Sequence, residues 1–275
     1  YAAADSVADM YYLRGFYAFA KNDTATAMKQ LKQAFKMLKS YPNAEVPYQM
    51  GTMFLLQKNY SSAHQYIELS IRMDSSSAIY PFANGYVYQQ EKKYEEAIQW
   101  YLQAIRKNNN LAKPYLQLYE IYANELKDKQ KALSINEKLL TINPKHPLAN
   151  YHKANDVYQK GMENTDEKVM KENLAGAAVL YSIAIQADEK FVNAYYARGL
   201  SYFFMDAEEE AVKDFEKTLQ LNPQHANAHF QLGSIFEHHQ DLITALQHYE
   251  AAAAIQPDFK EALQAVKELK AKVGN

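Results

Sequence analysis

The residues of this chain best suited to chemistry are its eight histidines and its runs of carboxylates. His225 and His229 stand four apart, and His238-His239 follow shortly after. Imidazoles grouped this way bind zinc-like metals when a carboxylate completes the set. No carboxylate completes a strong set around His225 and His229, Pro223 lies just before them, and no HExxH occurs. Glu208-Glu209-Glu210 read as exposed surface rather than as an acid–base pair. The glycines never form a phosphate loop of the GxxxxGK[ST] kind, and no serine sits in G-x-S-x-G. Cysteine is absent, which removes disulfides, thiolate catalysis and cysteine zinc sites. No catalytic residue, metal site or cofactor is expected.

What the chain has instead is a repeating pattern. Ala194-Tyr195-Tyr196-Ala197-Arg198-Gly199-Leu200-Ser201-Tyr202 is followed by Ala211, Phe215, Thr218 and Pro223. The same order returns with a small residue at Gly15, Gly51, Gly85, Ala154, Gly199 and Gly233. Twelve or so residues later come Ala27, Ala63, Ala97, Ala132, Ala177, Ala211 and Ala245. A third set follows at Ala34, Ser70, Ala104, Leu139, Ala184, Thr218 and Ala252. Glycine inside a helix costs about 1 kcal/mol, so its recurrence implies that two helices approach closely there. Tyr119 occupies the small position of the fourth unit. That unit is expected to splay, or its ring to point past the partner helix. Asn143-Pro144, Asn222-Pro223 and Gln256-Pro257 stop helices. Asp74-Ser75-Ser76-Ser77 offers side-chain caps. Strand signals are almost absent.

The pattern resembles the tetratricopeptide repeat (TPR), with a period of about 34 residues. The resemblance implies an all-α fold, a right-handed superhelical solenoid of antiparallel helix pairs. A lead-in over residues 1–7 is followed by seven units over 8–259, at 8–43, 44–77, 78–111, 112–146, 147–191, 192–225 and 226–259. The fifth carries an insertion of about eleven residues around Gly161 to Lys171, read as a loop or extended helix turn, or as a partner contact or hinge. Residues 260–275 form a capping helix, with Lys270, Lys272 and Gly274 suited to its C-terminus.

In this family the first helix of each unit lines the concave face, chiefly at positions two, five, nine, twelve and thirteen. Carried onto this chain, those positions are rich in rings: Tyr12, Phe16, Phe19, Tyr48, Phe82, Tyr86, Tyr151, Tyr158, Tyr196, Phe203 and Phe230. A groove lined this way suits an apolar or amphipathic peptide segment. The alternative is that the rings interlock between neighbouring repeats. Members that clamp a partner's C-terminal carboxylate carry lysine, arginine and asparagine at these positions. Here the fifth position is Tyr12, Tyr48, Phe82, Leu116, Tyr151, Tyr196 and Phe230, and Lys113 at the second is the plausible remnant, so no chaperone-tail clamp is expected.

The functional expectation is a protein-interaction scaffold or adaptor in complex assembly, not an enzyme. The alternatives are a self-associating structural solenoid and a regulatory arm of a larger enzyme. Net charge is −2 with no basic stripe, which argues against nucleic acid. No apolar run approaches a membrane span. Lys29, Lys32, Lys36 and Lys39 give one helix a basic face, read as solvated or as meeting an acidic partner. The absence of cysteine is compatible with cytoplasm and with a bacterial periplasm or outer-membrane association. The Tyr1-Ala2-Ala3-Ala4 start reads as an end trimmed of a signal, and the Asn- and Tyr-rich composition leans towards a bacterial source.

Overall fold

The structure, a computed structural model, describes residues 2–38 and 42–273. It divides into two compact units, one reaching Ile142 and the other beginning at Asn143. The first holds α1 (Ala2–Ala20), α2 (Thr24–Lys36), α3 (Glu45–Leu56), α4 (Tyr60–Met73), α5 (Ile79–Gln90), α6 (Tyr94–Lys107), α7 (Ala112–Glu120) and α8 (Lys129–Ile142). The second holds α9 (Pro147–Met162), α10 (Glu167–Ala187), α11 (Val192–Phe204), α12 (Glu208–Leu221), α13 (Ala226–His238), α14 (Leu242–Ile255) and α15 (Lys260–Val273). No β-strand occurs among the described residues. Within each unit every helix packs on its chain neighbours. The fold is all-α and built from stacked helix pairs.

Local chemistry sets the corners. Asp23, Asn59 and Asp241 cap α2, α4 and α14 by accepting from the backbone N–H three residues on. Each such cap is worth about 1 kcal/mol. Asn22, Lys58, Lys92, Asp206 and Gln240 turn the chain between paired helices with φ near 60°. They hold the same place in their repeats. α8, α12 and α14 end two residues before Pro144, Pro223 and Pro257, as their sequences require.

The small residues let the paired helices approach as expected, the glycine nesting against a larger side chain and, at Gly15, Gly51 and Gly85, against the alanine's backbone as well. The alanines at Ala27, Ala63, Ala97, Ala177, Ala211 and Ala245 are fully buried. The glycine faces mainly the large side chain four residues beyond that alanine. A Cβ on Gly85 would stand 2.8 Å from the Tyr101 ring and 3.2 Å from the Ala97 carbonyl. On Gly199 it would stand 2.8 Å from the Phe215 ring. The large partners form a series: Leu31, Ile67, Tyr101, Tyr181, Phe215 and Tyr249, all buried.

The fourth repeat departs from the others where Tyr119 predicts. After α7 the chain runs through a π turn, Ile121–Glu125, closed by Leu126 N–H donating to the Ile121 carbonyl at 2.9 Å. One extra residue is absorbed there, because the corner residue with positive φ, Lys127, comes one place late. The sizes are also exchanged. α7 carries half-buried Tyr119 where others have glycine or alanine, and α8 carries buried Asn136 where others have a large apolar or aromatic residue.

Two expected boundaries shift, and the insertion is the extended helix turn among its expected readings. Residues 2–7, expected as a lead-in, are helical and belong to α1, while Tyr1 lies outside the described residues. The insertion in the fifth repeat lengthens both α9 and α10, and Asp166 caps the latter through Lys168 N–H at 2.9 Å. The division between units falls at Ile142/Asn143 rather than at the insertion. α15 packs on α14 through buried Ala262 and Leu269. Lys29, Lys32 and Lys36 are exposed on α2. Lys39 and Gly274 lie outside the described residues.

Candidate functional site

The ring positions predicted from sequence divide between the two units. In the first, Phe16 is 48% exposed and Tyr86 38%. Tyr12 lies 6.4 Å from Phe16 between ring centroids, and Phe19 packs with Tyr12 on the first core. Tyr48 leans on Tyr80 at 5.3 Å, and Phe82 on Tyr101 at 5.6 Å. In the second, Tyr151 meets Tyr181 at 5.7 Å and Phe191 at 5.0 Å. Tyr196 meets Phe215 at 5.8 Å, and Phe230 meets Tyr249 at 5.3 Å. Phe203 stacks edge-on with Phe204, which in turn is 6.5 Å from Tyr158. Phe82, Tyr151, Tyr196 and Phe230 rest on the large residue of the paired helix. Tyr48, Tyr151, Tyr196 and Phe230 also meet a ring at the entry to the next repeat or, for Phe230, to the capping helix. These are Tyr80, Phe191, His225 and Phe259, so the rings interlock between neighbouring repeats.

One place gathers several of them into a cleft of ≈ 270 Å³. It is lined by Tyr151, Asn155, Tyr158 and Gln159 from α9, Tyr181 from α10, and Tyr196, Ala197 and Leu200 from α11. Tyr181 was not foreseen, because it belongs to a second helix. The signal for it was the bulky residue recurring four places after the buried alanine. Its hydroxyl donates to Asn155 Oδ1 at 2.7 Å, which fixes that amide at the cleft. Burial, then the nearby Tyr196 hydroxyl, pushes the Tyr158 phenol up to about 12. Burial raises Tyr196 as well. The lining holds no carboxylate and no cation, only rings, amides, an alanine and a leucine.

An ion pair braces the wall of this cleft. Arg198, next in sequence to the lining residue Ala197, donates from Nε and Nη2 to the two oxygens of Asp214, each at 2.7 Å. Its Nη1 donates to Ser182 Oγ at 2.9 Å. Three helices, α10, α11 and α12, are tied by one guanidinium. The flanking Tyr195 and Tyr202 rings lie 5.7 and 5.9 Å from it.

The histidine pair considered from sequence has structural work. His225 Nδ1 accepts from Ala228 N–H at 3.1 Å and caps α13, while its ring lies 4.6 Å from Tyr196. His229 Nδ1 lies 3.1 Å from His248 Nδ1.

Stacked antiparallel helix pairs, with glycine or alanine nested against a large partner and an uncharged aromatic cleft on the first-helix face, define a helical-repeat protein of the interaction-scaffold class. Tetratricopeptide repeat family models match residues 84–111, 192–225 and 209–269, and the chain belongs to the tetratricopeptide repeat proteins. It is similar to the Superkiller complex protein 3 of Homo sapiens, at 22% identity over 93% of this chain and 16% of that protein. The chain thus spans less than a fifth of that relative's length. Among solved structures, the C-terminal part of a TPR repeat-containing protein from Cytophaga hutchinsonii superposes with a TM-score of 0.65. The identity is 14%, covering 93% of this chain and 99% of that one. YrrB, described as a TPR protein with an unusual peptide-binding site, gives a TM-score of 0.55 at 20% identity. Coverage there is 73% of this chain and 97% of YrrB. At these identities the likeness speaks for the fold. Among the described residues no helix is long and apolar enough to cross a membrane.

Proposed function

We propose that this chain is a non-catalytic scaffold that holds an apolar or amphipathic segment of a partner protein on the first-helix face of its second unit. The observation that carries the reading is the uncharged cleft formed by Tyr151, Tyr158, Tyr196 and Leu200 with Asn155 and Gln159. Tyrosine rings supply contact area at little cost in side-chain freedom, and a few such anchors carry most of an interface's affinity. At ≈ 270 Å³ the cleft accommodates one or two side chains. The remainder of the segment then lies across the neighbouring rings, with Asn155 and Gln159 placed to meet its backbone amides. Nothing in the lining pairs with a terminal carboxylate, which supports a partner met internally along its chain.

The test separates binding from folding. Tyr158 and Leu200 are half-buried against the core as Tyr151 and Tyr196 are, so the unfolding midpoint of each variant is measured beside its affinity. Peptides selected from a displayed library against the wild-type chain are expected to lose about tenfold or more in affinity with Tyr158→Ala or Leu200→Ala, measured by titration calorimetry. Helicity is expected to stay unchanged. Selected peptides that bind both variants as well as wild type would place the site elsewhere.

A second reading, self-association, draws on α1. The face that later repeats bury at Val46, Met53, Tyr80 and Val87 is exposed on α1, with Leu13 60% and Tyr17 62% open to solvent. If two copies meet there, sedimentation velocity shows a concentration-dependent dimer that Leu13→Glu removes. A monomer at every concentration rejects it.

A further inference from the structure

The chemistry set aside in the sequence reappears at the edge of the second unit. Glu208 opens α12, and His238 and His239 close α13. The fold brings this carboxylate between the two imidazoles. Oε1 lies 3.0 Å from His238 Nδ1, and Oε2 lies 2.7 Å from His239 Nε2. The three donor atoms all stand within 4.8 Å of one another. Both histidines are exposed and Glu208 is half-buried, so an ion reaches them without disturbing the core. The adjoining cleft, ≈ 740 Å³, is lined by Glu209 and Glu210 against Lys213, with Asp206 paired to Lys171, a net acidic wall that concentrates cations. The imidazoles also sit at the C-terminal end of a helix, where the backbone dipole favours positive charge.

We propose that Glu208, His238 and His239 form a binding site for a divalent transition metal of the zinc type. Two imidazole nitrogens and one carboxylate are a ligand set that zinc accepts, with its fourth position left to water. Imidazole donors favour zinc, nickel or copper over calcium and magnesium, which prefer oxygen throughout. Bonds of about 2.1 Å hold tetrahedral donors roughly 3.4 Å apart. The two carboxylate contacts therefore open by less than about 1 Å, and the two imidazole nitrogens, within 4.8 Å of each other, close to about 3.4 Å, within the reach of exposed side chains. In the metal-free chain the carboxylate accepts N–H bonds from both rings. On metal binding each ring's proton passes through solvent to its opposite nitrogen, Nε2 of His238 and Nδ1 of His239, and the metal ties the start of α12 to the end of α13, fastening the sixth repeat to the seventh.

The test is titration of the metal-free chain with Zn²⁺, and with Co²⁺ followed by its visible absorption. One equivalent per chain is expected. Glu208→Gln, His238→Gln and His239→Gln are each expected to weaken binding about tenfold or more. His229→Gln, at the other imidazole pair, is expected to leave it unchanged. Saturating zinc raises the unfolding midpoint of wild type and not of the triple variant. Because the three residues lie at the surface, the variants retain wild-type circular dichroism. Zinc uptake that survives the triple substitution, equal uptake of magnesium, or no uptake by wild type at about 100 μM overturns the proposal.

Discussion

Asp214→Ala is expected to be the most damaging single substitution in the second unit. Asp214 is 4% exposed and receives both parallel hydrogen bonds of the Arg198 fork. Its hydrogen bonds, opposed by burial, raise the guanidinium's already high pKa, so Arg198 stays charged at every working pH. Removing the carboxylate leaves that charge half-buried with Ser182 and the faces of Tyr195 and Tyr202 to meet it, at a cost of about 3 kcal/mol. The midpoint of thermal unfolding falls by about 10 °C or more. The pair itself is a weaker stabiliser than this loss implies, because two charges were desolvated to make it. Arg198→Met combined with Asp214→Leu is therefore expected to recover most of the deficit. Urea denaturation followed by circular dichroism measures both. A loss below about 1 kcal/mol in the single variant would mean that solvent screens the pair and that it does not brace the cleft.

Acid is expected to unfold the second unit well before the first. His152 is 7% exposed, and burial, with a further contribution from His146, pushes its pKa down to about 4. Burial also holds His146, His225, His229 and His248 below the ordinary imidazole value. All five lie beyond Asn143, whereas the first unit has a single histidine, His64. An unfolded imidazole takes its proton near pH 6.5. Between there and about pH 4 the unfolded chain binds a proton that folded His152 refuses, so stability rises with pH across that window. The contribution is complete above about pH 6.5 and is lost by about pH 4, amounting to roughly 3 kcal/mol for His152 alone. The other four add in the same direction. The chain's one tryptophan, Trp100 on α6, reports the first unit, while circular dichroism reports both. Urea curves near pH 7.5 and about pH 5 are expected to separate into two transitions at the lower pH, and His152→Gln to shrink the shift. Coincident transitions at both values would show that these imidazoles titrate normally in the fold.

Much of the architecture could be read in advance, because a helix pair writes its contacts at fixed spacing. The buried alanines, the nested glycines and the proline stops are each local consequences of backbone geometry, and each appears where the residues place it. Tyr119 marks the irregular fourth repeat, although the π turn that absorbs its extra residue is not legible in the sequence. The insertion around Gly161 to Lys171 was ambiguous since the same polar residues solvate a loop or an exposed helix turn. α9 and α10 resolve it as helix because Gly161 lets their backbones approach, with Met170 O only 3.2 Å from where a Cβ would stand.

The sequence by itself determined the class: an all-α chain of repeats whose small residues oblige helices to pair and pairs to stack. Tertiary structure decided which rings share a cleft, that Tyr181 joins them, and that Arg198 finds Asp214. It also decided that Glu208 meets two imidazoles thirty residues away. Periodicity reports which face of a helix is buried. Which side chain of one buried face meets which of the next depends on the crossing of the helices and on the rotamers that fill the space between them, and neither is written in the spacing of residues along one chain.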